Sequence, residues 1–321
     1  MKLVSHFTLF FLFLNLGACE KVAIFMTPVK KPLQSHSKMA ANADRYFWTT
    51  LHKGRYQDIT KADKLLMESY LKNPNDPNLA AHLGFLHIWK ITERQRESEQ
   101  DPLIPNEIIL SKQYFAEAHA LEPQNPIYQG FLGDTQLVTG QIFNDKRLEV
   151  QGYFTLKSAI AKWPEFNYFT AAYPMTTLPP DSKRFKKALE WQWKTVDICL
   201  GKKIDRKNPQ YHLSSLKFVN GSKKQRACGD TWIAPHNVEG YFMNMGDMLV
   251  KSGDWQTAIA IYKNATYQQN YVSWPYRRML EKRIKNAKQN VKYFQQNPAP
   301  SDPDRAIMFN SGYGCMACHQ E

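Results

Sequence analysis

Residues Glu239–Ala265 read EGYFMNMGDMLVKSGDWQTAIAIYKNA. Phe242, Met245 and Leu249 recur at helical spacing, and Trp255, Ala258, Tyr262 and Ala265 repeat the pattern after Gly253. Such periodicity predicts two amphipathic helices with a turn between them. Gly253 ends the first helix, where a residue without Cβ can take the left-handed conformation. Gly246 and Ala258 are small where the two helices touch, and the bulky residues fill the groove between them.

These positions fall at the spacings of a tetratricopeptide repeat, which the stretch resembles over one whole unit. Two earlier units resemble the same pattern in broken form. Leu83-Gly84 opens one, and Ser111, Phe115, Ala118 and Pro123 close it, with the insertion ERQRESEQDPLIPNE between its helices. Leu132-Gly133 opens the next, and Gly152, Leu156, Ala159 and Pro164 close it, again with an insertion. Before them, YFWTTLHKGRYQ and ADKLLMESYLKNPNDP read as a divergent first pair, and RFKKALEWQWKTVDICL, ending at Leu200, supplies another helix. The resemblance implies an all-α fold, a tetratricopeptide-like helical repeat array (an α-solenoid) over residues 41–294, with long inter-helix insertions and a short C-terminal tail. A generic helical bundle is the alternative. One local exception is a hairpin at Val219-Asn220-Gly221-Ser222, where Asn-Gly favours a tight turn.

SWPYRRMLEKRIKNAKQNVKYF closes the array. Ser273 is its expected cap, with Pro275 in the first turn. Leu280, Ile284, Ala287 and Val291 form one apolar stripe, backed by Arg and Lys. Repeat arrays need such a polar-backed terminal helix for solubility. The segment 295–321 then begins with QQNPAPSDP, a linker in composition, and ends in the tail.

The N-terminus sets the compartment. A positive start at Lys2 precedes an apolar run from Phe7 to Leu16, too short for the roughly 20 apolar residues that span a bilayer. This is the layout of a secretory signal peptide. Leu16-Gly17-Ala18-Cys19 resembles the lipobox of bacterial lipoproteins, which implies cleavage after residue 18, acylation of Cys19 with palmitate-type chains, and residues 19–40 as a tether. An ordinary signal peptide is the alternative. By the sorting rule of that family, Glu20 after the lipidated Cys points to the outer membrane, with the protein facing the periplasm.

Formal charge is +13 and hydrophobic residues make up 43%, ample for a core. In an exported chain this basicity points to acidic protein partners or anionic lipid surfaces and away from nucleic acid; a solvated basic helical surface accounts for it equally well. An oxidising compartment permits disulfides. Cys199 and Cys228 bracket a polar loop with little apolar periodicity, and the pair is expected to bridge and staple it; two buried reduced thiols are the alternative.

The chain closes on Cys315-Met316-Ala317-Cys318-His319-Gln320-Glu321. C-x-x-C-H reads as a covalent c-type haem site. Two thiols one helical turn apart reach the vinyl groups, and the adjacent His ligates the iron. YGCMACHQ also resembles the start of a small cytochrome c domain without its remainder. One haem c per chain is expected, held by Cys315, Cys318 and His319, in electron transfer or as a haem-bearing interaction module. Downstream sequence normally supplies the sixth ligand and the pocket. The group is therefore expected to stay exposed on its linker, or to be covered from elsewhere. A Cys315–Cys318 disulfide on a non-enzymatic envelope scaffold is the rival; two Cys and one His are too few ligands for structural zinc. His236 is a candidate second axial ligand, or else a loop His bonded locally, while Met243, Met245 and Met248 read as core. His82 and His87 receive no role. No phosphate loop, serine nucleophile elbow or acid–base carboxylate pair is apparent, and the chain reads as an electron carrier or scaffold more than as an enzyme.

Overall fold

The computed structural model describes residues 21–23, 25–92, 104–209, 228–229, 236–296, 307 and 315–319. The signal segment with Cys19, the expected hairpin at 219–222, most of the first insertion and the Pro-rich linker lie outside these residues. The chain divides into a unit ending at Pro32 and a unit from Leu33 to Glu321. In the first, Thr27 Oγ1 donates to Ala23 O at 2.8 Å in a short helical segment. The second holds the helical body.

The described residues of this second unit form helices and no strand: α1 (Lys38–His52), α2 (Ile59–Lys72), α3 (Pro77–Thr92), α4 (Ile104–Leu121), α5 (Pro126–Ile142), α6 (Lys146–Lys162), α7 (Pro164–Ala172), α8 (Lys183–Leu200), α9 (Val238–Ser252), α10 (Trp255–Ala265), α11 (Arg277–Gln295) and a one-turn α12 (Cys315–Cys318). Short polar side chains start many of them by accepting from an otherwise orphaned backbone N–H. Ser37 Oγ accepts from Ala40 N at 3.1 Å, Asp145 Oδ1 from Leu148 N at 3.0 Å, Ser182 Oγ from Phe185 N at 3.1 Å and Asn237 Oδ1 from Gly240 N at 2.8 Å. At Gly253 φ is +95°, the left-handed stop expected from the repeat pattern.

Consecutive helices pack pairwise: α1 on α2, α3 on α4, α5 on α6, α7 on α8 and α9 on α10, with α11 against the last pair. The small residues singled out by the sequence lie at these contacts. A Cβ on Gly133 would sit 2.8 Å from Leu156 N, and one on Gly152 would sit 2.5 Å from Leu137 N, so α5 and α6 approach almost backbone to backbone. A Cβ on Gly246 would overlap the Tyr262 ring. Two large apolar cores result, one from α1 to α5 and one from α5 to α12.

Four boundaries differ from the sequence expectation. Helix α1 starts at Lys38, inside the expected tether, and the tether's end is already fixed: Leu33 N donates to Asn75 O at 2.9 Å and Ser35 N to an Asp76 carboxylate oxygen at 2.6 Å. The second expected insertion does not exist; only Phe143–Asp145 separate α5 from α6. Pro164 opens an additional helix, α7, rich in aromatic residues. Helix α11 starts at Arg277, because residues 266–276 form turns that bury Trp274; Ser273 and Pro275 stand outside it.

The stripe of α11 also carries a cation the pattern placed on the solvent side. Arg283 is 1% exposed. Its Nε lies 3.4 Å from Asp247 Oδ1, its guanidinium lies 4.7 Å from the Phe294 ring centroid, and Tyr262 donates to the same Asp247 oxygen at 2.6 Å. That network ties α9, α10 and α11 together.

Candidate functional site

The C-terminal helix is packed into the body. Asn237 N donates to Cys318 O at 2.8 Å, and the Trp274 indole N–H donates to Ala317 O at 3.1 Å. Gly240, in the first turn of α9, lies directly beneath the Ala317 carbonyl; a Cβ there would overlap it. Ala317 and Cys318 are buried, and Cys315 and His319 are half-buried. Of the two arrangements expected for the tail, exposed on its linker or covered from elsewhere, the motif helix takes the second: backbone hydrogen bonds and a glycine-sized gap hold it against α9.

Beside this helix the body opens into a cavity of about 960 Å³, the upper end of the ~300–1,000 Å³ usual for ligand and cofactor sites. Its walls come from α1, α3, α5, α7 and the approach to α9, the first helix of each pair, and its end wall is Cys315, Cys318 and His319. A row of aromatic rings runs along the lining. Phe85 and Phe131 ring centroids are 4.4 Å apart, Phe131 and Phe166 6.0 Å, Phe166 and Phe169 6.0 Å, and Phe169 and His236 4.7 Å.

His236 closes that row and faces the tail. Its ring centroid is 6.3 Å from that of His319, with the planes at 69°. A metal–nitrogen bond of about 2.1 Å on each side, plus the ~1.1 Å from ring nitrogen to centroid, would separate two axial imidazoles by about 6.4 Å. Burial, with the charge of His52 nearby, pushes His236 down to about 4, so the ring is neutral near pH 7. Met243, Met245 and Met248 are fully buried in the core and line no cavity wall.

Burial also pushes the Cys318 thiol well up, reinforced by Cys315 and Glu239. A protonated, enclosed thiol is a poor nucleophile, which disfavours dithiol exchange at this site. Cys315 and Cys318 are not joined in the structure, whereas Cys199 and Cys228 are. Among the described residues no group of three or more His, Cys, Asp and Glu converges as around a bare metal ion.

Sequence reasoning missed two cavity residues. His82 Nδ1 lies 3.1 Å from Asp44 Oδ1, and its ring stacks on Phe47 at 4.4 Å. His87, by contrast, is turned away from the cavity, 2.5 Å from Glu107. Asp134, on α5, follows Ile127 and Phe131 along the cavity face and is fully buried. An acid at that spacing in the apolar run PIYQGFLGDTQL was the available signal. Compared with known proteins, the chain matches no family model, no curated protein and no solved structure.

Proposed function

We propose that this chain is an exported haem protein in which a tetratricopeptide-like solenoid encloses a single haem c carried by its last residues. Cys315 and Cys318 would hold the group through thioethers, and His319 and His236 would ligate its iron. The observation that carries the reading is the aromatic cavity, about 960 Å³, that ends on the C-x-x-C-H helix with two histidines facing each other. The residues fit the group: two unjoined thiols one turn apart, an apolar enclosure, and two neutral-capable imidazoles at the separation one iron spans. When bound, the haem supplies one-electron chemistry. With two histidines to hold the iron, the site would favour electron transfer over gas binding or peroxide chemistry.

The chain's own residues set the conditions. The Phe85–Phe169 row lines the site with apolar surface, Trp274 and Asn237 hold the tail helix against the body, and the half-buried Cys315 and His319 put one edge of the site near the surface, where a partner would dock. The basic balance of +13 suits an acidic redox protein. Lipidation of Cys19 would keep the module on an envelope membrane, facing the periplasm.

Protein matured in a host with haem-attachment machinery should give a pyridine haemochrome of the c type and one added haem on the C-terminal peptide, lost in Cys315→Ala/Cys318→Ala. His236→Ala should retain the haem and lose the low-spin spectrum. An unmodified peptide bearing a Cys315–Cys318 disulfide refutes the reading and leaves the scaffold alternative.

A further inference from the structure

Asp134 is 0% exposed, and neither carboxyl oxygen has a hydrogen-bond partner. Buried carboxylates are normally paired, because an isolated charge in an apolar interior is far costlier than an unpaired neutral group. Here the acid faces a cavity walled by aromatic rings, on the α5 face that also presents Ile127 and Phe131. Burial pushes its carboxyl well above the ordinary carboxylate range.

The other carboxylates on the cavity wall, Asp44 and Glu122, both have partners. His82 of α3 faces Asp44 of α1 at 3.1 Å. Glu122, after α4, accepts from Asn125 Nδ2 at 3.1 Å, and Tyr128 on α5 itself donates to Asn78 Oδ1 at 2.6 Å. Tyr173, beyond α7, lies close to Asn244, and burial pushes its hydroxyl well above the ordinary tyrosine range. On the opposite side of α5, the Glu149 carboxylate of α6 pairs with Lys146 at 2.6 Å and Arg184 at 3.0 Å. His236, from the approach to α9, and Cys315, Cys318 and His319 of the tail are the proposed haem-binding set. Asp134 is thus, among the described residues, the cavity's one fully buried acid with neither charge nor hydrogen-bond partner.

We infer that Asp134 is a proton site coupled to the redox state of the group in this cavity, so that an electron entering the site is accompanied by a proton. The inference rests on the haem reading above. Oxidation removes one electron to the partner protein and leaves one more positive charge in a water-poor enclosure, where charges are weakly screened. That charge favours the carboxylate: the Asp134 O–H bond breaks and the proton leaves to solvent. Reduction reverses both steps, with the electron from the partner and the proton from water. Asp134 touches neither reactant and acts through the field it shares with the iron.

The test is the midpoint potential of the haem-loaded protein between pH 5 and pH 9. Coupling predicts a window in which the oxidised-to-reduced ratio shifts tenfold per pH unit, which is 59 mV for one electron. Asp134→Asn should keep haem content and the low-spin spectrum while flattening that window. A reduced-minus-oxidised infrared spectrum of the unaltered protein should show a protonated carboxyl C=O band, which settles the matter even where the variant fails to fold. A loaded protein with a pH-independent potential, or with no such band, overturns the inference and leaves the haem reading standing. A chain that takes up no haem overturns both.

Discussion

Gly240→Ala tests whether the tail helix is seated on α9. Gly240 lies in the third position of that helix, where Ala is favoured over Gly by up to about 1 kcal/mol from propensity alone. If nothing lay above it, the substitution would stabilise the chain. The Ala317 carbonyl, however, occupies the space a Cβ needs, and the obstacle is backbone that cannot rotate away. Overpacking of this kind costs about 1–3 kcal/mol. The tail can relieve it by lifting off, giving up the bonds from Asn237 N and the Trp274 indole, each worth about 1 kcal/mol. The two effects therefore have opposite signs in different places: the body keeps or gains stability, and the tail loosens. In Cys19→Ser/Cys315→Ser protein produced without haem attachment, Cys318 is the last free thiol, and it is 5% exposed. Weakening its docking by 1–3 kcal/mol should speed its reaction with a thiol reagent roughly 5- to 150-fold. Thermal unfolding of the body should stay within a few degrees. An unchanged labelling rate together with a raised Tm would refute the seating of the tail and, with it, the enclosed cavity.

Asp247→Ala should cost about 3–5 kcal/mol, because it strands Arg283, 1% exposed, without its carboxylate; adding Arg283→Met should restore most of that in urea unfolding. Cys199→Ser/Cys228→Ser should lower stability by about 3.5 kcal/mol in the chain-entropy model for a separation of 29 residues, with a higher rate of proteolysis between them. Burial pushes Lys251 down to about 8 from an ordinary 10.5. The unfolded chain thus takes up its proton more readily, so this group destabilises fully below pH 8 and its penalty fades as pH rises from 8 to 10.5. Lys251→Met should narrow that rise in a pH series of melting curves; an unchanged slope between pH 8 and 10.5 would show that Lys251 does not titrate there.

The helix pair at Phe242–Ala265 was legible because its signals are local: periodicity, Gly253 at the stop, and Gly246 where a ring crosses. The same holds for Gly133 and Gly152, whose absent side chains mark the α5–α6 contact. The seat of the tail on the body was not legible. Its anchors, Asn237, Gly240 and Trp274, lie far back along the chain; the Trp274–Ala317 bond alone spans 43 residues. No period or motif links such partners, and a glycine in the first turn of a helix looks like poor propensity until something is found lying on it. Arg283 failed for a related reason. On a helical wheel it stands within the apolar stripe of α11, but a cation at that position reads as an interruption unless Asp247, on another helix, is known to meet it.

The C-x-x-C-H helix is packed against the helical body beside a cavity with apolar walls. The first helix of each pair contributes Trp48, Phe85, Phe131 and Phe169 to the wall of one cavity. Aromatic rings left around a void of that size forfeit dispersion contacts that a packed interior would supply. An occupant restores them, and a flat aromatic macrocycle attached at the end wall does so without displacing any helix. The same geometry orders the events of assembly. Cys318 is only 5% exposed on the closed chain, which would slow thioether formation at the second sulfur. Attachment on the proposed reading therefore precedes docking, and the body closes over a group already bound to its last turn.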